Sequence, residues 1–536
     1  MVMVSVIIFV FLPRKTNRLN LNMRRFLLST VVFPLFAFVL KAQTADVSES
    51  LTQVYSSTWS RFYSYNYPSK NAAGEDVVLS SMLIAWSPLF PSATDSIESL
   101  HIYSHYTITA NKQSPTSSDN TQDKLLFGML VKNSYDTSHT CDYVSRCVVI
   151  APDYQGYGVT RDQSHPYLAQ ALTAQQVMDG VRYGMELYQK LVADKQALPI
   201  KSDWRTFAYG YSQGGAVTLA VQRYIEQNNL SDELHFRGSI CADGPYDLLA
   251  TLRYYLDDNG DSYGVTTAHL KGLSTMPMVI PMIIKGMLDS HPDMKDHSIA
   301  DYLSQQFLDT GIMDWLSSKD LSTGDISERW YSQVQEGLEA NGHCYSPEQM
   351  AELFLAKGKS RVWARLEKVF TPGLYEYLTN PENFDKVPTE KGDACQDLHR
   401  ALADNNVVTG WEPQHRIQFI HSKGDMVVPY ANYLSFLDAH SAANETLFRV
   451  DDSSTSDHTA VGTSFFLSLT AMSGFGDYFR WLDEPLDATG IMSHQFGEGG
   501  LGASGEWYSI DGRRLSSRPA QRGVYIRNGK KMLINK

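Results

Sequence analysis

The stretch CVVIAPDYQGYG, residues 147–158, opens on consecutive apolar residues with no polar alternation. A strand with one wet face alternates. One that is apolar on both sides must be covered on both sides, as in parallel sheets flanked by helices. From about residue 77 the chain keeps to that scheme. DVVLSSMLIAW and SLHIYSHYTI are rich in β-branched and aromatic residues, and LAQALTAQQVMDGVRYGMELYQKLV has helical spacing. DWRTFAYG then reads as a strand, GAVTLAVQRYIEQ as a helix and HFRGSICADGP as a strand. Strands alternating with helices predict βαβ units and a doubly wound, mostly parallel α/β sheet.

The rhythm stops near 245. From 245 to 410 the sequence is helical and rich in Met, Tyr and acids, with almost no strand signal. It resumes with HRIQFIHSKGD, YANYLSFLDAHSA, TLFRV and TAVGTSFFLSLTAM. A helical cap over 245–410 is therefore expected to split one core into 43–244 and 411–490. Within the cap, MPMVIPMIIKGML reads as a core helix, with a wall for a greasy substrate as the alternative. DDNGDSYG at 257–264 approaches a calcium loop but carries Ser262 where that loop wants glycine, so a solvated turn is expected there and no metal.

A formal net charge of -13 excludes nucleic acid as a partner, because phosphate binding needs clustered Lys and Arg. MRRFLLSTVVFPLFAFVLKAQTAD has the positive start, apolar middle and small-residue exit of a secretory signal peptide over 23–42, within an N-terminal targeting region 1–42. Met23 then reads as the start. Outside the cytoplasm disulfides are permitted. Cys141 and Cys147 flank DYVSR and could close a small loop, Cys344 and Cys395 could staple the cap, and Cys241 is left as a buried thiol. Beyond the Gly-rich FGEGGLGASGE, the end of the region 491–536 is basic and β-prone. Its DGRR…RGVYI…NGKK spacing resembles the C-terminal sorting tails of the Bacteroidetes type IX secretion system; a small terminal hairpin is the alternative. The reading is of a secreted or cell-surface protein, periplasmic as the alternative, that meets the secretion machinery through its signal peptide and tail.

AYGYSQGGAV places Ser212 between Gly210 and Gly214, after a strand and before a helix. A nucleophile on a sharp strand-to-helix turn needs small neighbours, since the strained backbone packs against an adjacent strand. Its hydroxyl then stands above the sheet at the positive end of the helix. Ser212 reads as that nucleophile rather than as an ordinary turn residue, with the Gln213 amide as an oxyanion donor. Serine needs a base, and the base needs an orienting carboxylate. Asp425, after the apolar strand in FIHSKGDMVVPYANY, fits the carboxylate. His458, in RVDDSSTSDHTAVG after the last strand, fits the base. The order 212, 425, 458 is the required one. Asp451, Asp452 and Asp457 read as solvated or helix-capping, His421 as a core histidine and His415 as a surface one. His105 reads as a pocket residue that precedes the serine, and Asp153 as a structural loop carboxylate.

GYSQGG, VVIAPDYQGYG, ADGPYDL and GDMVVP together resemble the α/β-hydrolase superfamily, in its secretory lipase and esterase-like branch. The resemblance covers roughly 75 to 475 and implies a serine hydrolase working through an acyl-enzyme on a small-molecule or lipid ester, with no cofactor. Relatives commonly carry His-Gly and a donor residue after the third strand. His105-Tyr106-Thr107 stands there, implying the Thr107 amide as the second oxyanion donor. Two other readings fit the same architecture. One is a serine peptidase taking a free amino terminus against a cap carboxylate, and the other is a surface-binding protein without catalysis.

Overall fold

The computed structural model describes residues 51–132, 142–256, 271–440, 446–471 and 475–485, with short tail segments at 507–509, 514–515, 519, 523–527 and 530–534. The targeting segment, Cys141, the 257–264 turn and the glycine-rich linker lie outside these residues. No helix among the described residues is long and apolar enough to cross a membrane.

The chain enters through β1 (Thr52–Ser56), β2 (Ser60–Lys70), β3 (Asp76–Trp86), β4 (Ile97–Ser104), β5 (Cys147–Pro152), β6 (Ile200–Tyr211) and β7 (Phe236–Ala242). All six residues of β5 are buried, as the unbroken apolar run requires. The insertion that follows carries β8 (Leu273–Ser274), a hairpin of β9 (Leu338–Ala340) and β10 (His343–Tyr345), and β11 (Phe354–Gly358) paired with β12 (Arg361–Arg365). The core resumes with β13 (Arg416–Ile420) and β14 (Phe448–Asp451). One sheet of nine strands results, in the order β1-β2-β3-β5-β4-β6-β7-β13-β14. From β5 to β14 all neighbours are parallel; β1, β2 and β3 extend the sheet by antiparallel pairing.

The insertion departs from its sequence reading in one respect. It is not wholly helical, since β11, β12 and β8 form a small antiparallel sheet inside it. Those strands are two to five residues long and partly polar, too short for a period-two pattern to register. The insertion has its own apolar core, centred on Met287, Phe307, Trp330, Leu353 and Leu374. The helix Val279–Ser290 lies in it, with Ile280, Met282, Ile284 and Met287 buried. Cys344 and Cys395 are both free thiols, so the expected staple is absent: one sits exposed in the hairpin, the other half-buried at a helix start. Cys241 is buried and free, as read. In the tail, β15 (Trp507–Ser509), β16 (Arg514–Leu515), β17 (Gly523–Arg527) and β18 (Lys530–Ile534) form an antiparallel sheet in the order β16-β15-β17-β18, larger than a hairpin.

Cap and core are fastened at several points. Tyr255 donates to the Val427 carbonyl at 2.7 Å, and the Thr275 hydroxyl donates to that of Met426 at 2.7 Å. Gly286 lies where a Cβ would strike the Tyr167 backbone, so the cap helix rests directly on that loop. The buried Lys319 ammonium, also of the cap, donates to the carbonyls of Gly156 at 2.5 Å, Arg161 at 2.8 Å and Gln163. Lys319→Met is expected to leave these oxygens without their donor and to lower stability by about 3 kcal/mol or more. Thermal unfolding with limited proteolysis measures it; an unchanged melting temperature would show that the ammonium is not the fastener.

Candidate active site

Ser212 sits between the last residue of β6 and the helix Gln213–Gln227, with φ 59 and ψ -125. That left-handed geometry is strained for any residue but glycine, and the neighbours are what hold it. A Cβ on Gly210 or Gly214 would run into the backbone around Ser104, and one on Gly215 into the Ala242 carbonyl. The Ser212 amide donates to that carbonyl at 2.8 Å. The three small residues therefore let the helix start press onto β4 and β7 and lift the serine side chain off the sheet.

Asp425 and His458 reach the serine from two adjoining loops. After β13, a Cβ on Gly424 would meet the carbonyls of Thr455 and Ser456, and the Ser422 hydroxyl donates to Ser456 at 2.7 Å. The loop holding Asp425 is thereby laid against the one leading to His458. One carboxylate oxygen of Asp425 accepts from the Val427 and Val428 amides at 2.7 and 2.9 Å. The other accepts from His458 Nδ1 at 2.5 Å, and His458 Nε2 lies 2.8 Å from Ser212 Oγ. This pairing fixes the tautomer: Nδ1 carries hydrogen towards the carboxylate and Nε2 is free to accept from the serine hydroxyl. Ser212, Asp425 and His458 are 8%, 2% and 7% exposed, so charge developing among them is weakly screened.

Three supporting residues were not singled out from sequence. Tyr211 donates its hydroxyl to the His458 carbonyl and lays its ring beside the imidazole, with centroids 4.9 Å apart. Gly462 makes room for that ring, since a Cβ there would strike it. The Gln213 side-chain amide lies 3.0 Å from His165 Nε2, while His165 Nδ1 donates to the Gln155 carbonyl at 2.7 Å. Gln213 is thus held from behind. Thr107 follows the Ser104–His105 backbone against which Gly214 packs, and its hydroxyl pairs with that of Tyr167 at 2.7 Å. The loop named for the second oxyanion donor therefore lies at the helix start.

The rival residues have other partners. Asp452 pairs with Lys423 and Tyr430, Asp451 accepts from Tyr478 and Ser453, and Asp457 caps the helix that begins at His458. Asp153 is buried and accepts from Ser80 at 2.6 Å and the Thr116 amide at 2.9 Å; burial raises its pKa to about 6. His105 does not line the cleft. It is buried, stacked on Tyr154 at 3.9 Å, and burial lowers its pKa to about 4. Nor is His415 free on the surface, because the buried Glu226 draws it inward at 3.0 Å.

Above His458 opens a cleft of about 520 Å³ bordered by Met276, Ser327, Arg361, Trp363, Met426 and Thr459. A smaller chamber of about 100 Å³ lies within the cap, walled by Leu252, Ile280, Ile283, Phe370, Leu398 and Leu402. Met276 and Val427 border both. The helix Val279–Ser290 is thus at once a core helix and an apolar wall.

No protein-family model matches this chain, and no curated protein does. Solved structures do. The chain is similar to the rice cell wall degrading esterase LipA from Xanthomonas oryzae at 18% identity and TM-score 0.54, over 79% of this chain and 92% of that one. The ligand-bound form of that esterase superposes with TM-score 0.54 at 19% identity, over 78% and 91%. A protein described as a hydrolase from Legionella pneumophila gives TM-score 0.52 at 15% identity, over 81% of this chain and 92% of that one. The chain has the α/β-hydrolase fold. Catalysis is argued from the site itself, since one fold hosts many chemistries.

Proposed function

We propose that the protein is a serine hydrolase of carboxylic esters. The observation that carries this reading is the buried chain from Ser212 Oγ through the His458 ring to the Asp425 carboxylate, at 2.8 and 2.5 Å. Ser212 Oγ attacks the ester carbonyl carbon while its proton passes to His458 Nε2. The amides of Gln213 and Thr107 receive the negative charge on the carbonyl oxygen. On collapse the alcohol leaves with the proton from His458, and the acyl group stays on Ser212. Water then attacks the acyl-enzyme with His458 again as base, the acid departs, and Ser212 regains its proton. Asp425 holds the ring through Nδ1 and steadies the imidazolium.

Between ester and peptide, the cleft favours ester. Capture of a free amino terminus calls for a carboxylate from the cap. The described cap residues lining the cleft are Thr, Ser, Met, Gly, Arg and Trp; the acid on its border, Asp457, belongs to the core loop and is paired with Arg361 at 3.7 Å. The apolar chamber beyond Met276 suits an aliphatic group, whose burial is favourable by about 0.8 kcal/mol per methylene. Ile283→Trp, filling that chamber, is expected to depress kcat/KM for octanoate esters by about tenfold while sparing acetate. Equal losses on both would mean that the chamber holds no part of the substrate. The sequence of 23–42 and the basic tail support an exported enzyme.

Fluorophosphonate labelling of the wild type beside Ser212→Ala, with hydrolysis of p-nitrophenyl esters from acetate to palmitate, tests the reading. Labelling lost in the variant, together with ester turnover, upholds it. Labelling without ester turnover would favour the peptidase, and no labelling the non-catalytic protein.

A further inference from the structure

Beside the Asp425–His458 pair lies another carboxyl group, that of Asp243. It follows β7 directly, is fully buried, and stands at φ 39, where glycine would be at ease. One of its oxygens accepts from the Ser422 amide at 2.9 Å; the other is buried with no hydrogen-bond partner. A carboxylate oxygen of Asp243, one of Asp425 and a ring nitrogen of His458 all lie within 4.8 Å of one another. Two ionised carboxylates at that separation, out of water and facing one neutral imidazole, repel strongly.

The groups facing Asp243 supply no compensating charge. His421, on the chain leaving β13, stands 3.8 Å away, beyond hydrogen-bond reach. Its Nε2 hydrogen is spent on the Val428 carbonyl at 3.0 Å, and burial disfavours a second proton on it. Tyr211, at the end of β6, and Tyr246, just beyond Asp243, are buried phenols held neutral by desolvation. Among the described residues no lysine or arginine pairs with Asp243.

Resting on the triad reading above, we propose that Asp243 is kept as a neutral carboxylic acid. It acts as a positioning residue, so that a single negative charge, on Asp425, faces His458. The acidic proton lies on the oxygen that has no hydrogen-bond donor. Burial first, and then the neighbouring Asp425 charge, both drive the proton affinity of Asp243 far above that of an ordinary carboxyl.

Infrared difference spectroscopy of the full chain at about pH 8 reads the proton without reference to turnover, since ordinary carboxyls are ionised there. Asp123 and Asp153, raised by burial to about 6, are then largely ionised too. The carbonyl stretch of a protonated carboxyl is expected in the wild type and absent in Asp243→Asn. No such band in the wild type, or a band unchanged in the variant, overturns the proposal. Asp243→Ser is the second variant should Asp243→Asn fail to fold. The acid limb of kcat/KM gives an independent readout. Asp243→Asn is expected to leave it in place, since a neutral group replaces a neutral group. A fall of about one unit or more would show that Asp243 had been an anion supporting the imidazolium. Failure of the esterase reading would remove turnover and leave the infrared band standing, so the two failures are distinguishable.

Discussion

Asp425→Asn is expected to lower kcat for ester hydrolysis by about 10⁴-fold, with KM little changed. That magnitude belongs to the chymotrypsin-type triad; here it follows from the same geometry. The carboxylate oxygen now accepting from His458 Nδ1 at 2.5 Å would become half of an amide, held by the Val427 and Val428 amides on its other side. If the amide nitrogen faces the ring, Nδ1 must turn acceptor and Nε2 takes the hydrogen, which leaves Ser212 without a base. The cleft above His458, where substrate is proposed to bind, is left intact. Steady-state kinetics on a p-nitrophenyl ester, with circular dichroism to check folding, measures the loss. A decrease below about 100-fold would mean that another carboxylate orients His458, with Asp243 the candidate.

Gly214→Ala is expected to cost about 3 kcal/mol or more and to abolish the proposed ester turnover even where the chain folds. Its new methyl group would enter the Ser104 carbonyl and press on that of His105, both backbone atoms of the sheet and of the loop that follows it. Relief requires the helix Gln213–Gln227 to back away from β4. That would move Ser212 and separate the Gln213 amide from Thr107. By contrast, Gly373→Ala in the cap should be nearly silent, because its Cβ would meet no atom within 4 Å. Melting temperatures and kcat for the two variants decide the matter, and an unperturbed Gly214→Ala would refute the close-packing account of the turn.

Those glycines show why much of the core was readable in advance. Strand β5 announces its burial through composition alone, and the turn at Ser212 is marked by three small residues whose spacing reflects backbone contact. Asp425 and His458 were readable because each follows a strand and the order was constrained. Other features had no local signal. β1 and β2 precede the first strand recognised; their alternating SRFYSYNYPSK is half polar, as antiparallel strands towards a sheet edge are. The cap strands are too short to show a period. Asp243 looks in sequence like any acid beside a glycine in a turn, and its meaning arises only when β7 and β13 pair and bring Ser422 and Asp425 alongside. Tyr211 was hidden inside the motif that drew attention to its neighbour. The half-buried His415 also depends on a distant partner, Glu226, some 189 residues away.

The position of the insertion has a consequence for how the chain comes into being. Ser212 and His458 are 246 residues apart, and the two strands that deliver Asp425 and His458 are the last of the sheet. During synthesis, β7 is therefore an open edge while the whole cap emerges, with Ser239, Ile240 and Cys241 waiting for Ile417, Gln418 and Phe419. An apolar open edge invites pairing with other chains. Closing it depends on a contact that is distant along the chain and slow to form. A chain halted before β13 would lack the Ser212–His458–Asp425 chain and be prone to aggregate, so assembly of that chain and closure of the edge arrive in the same late step.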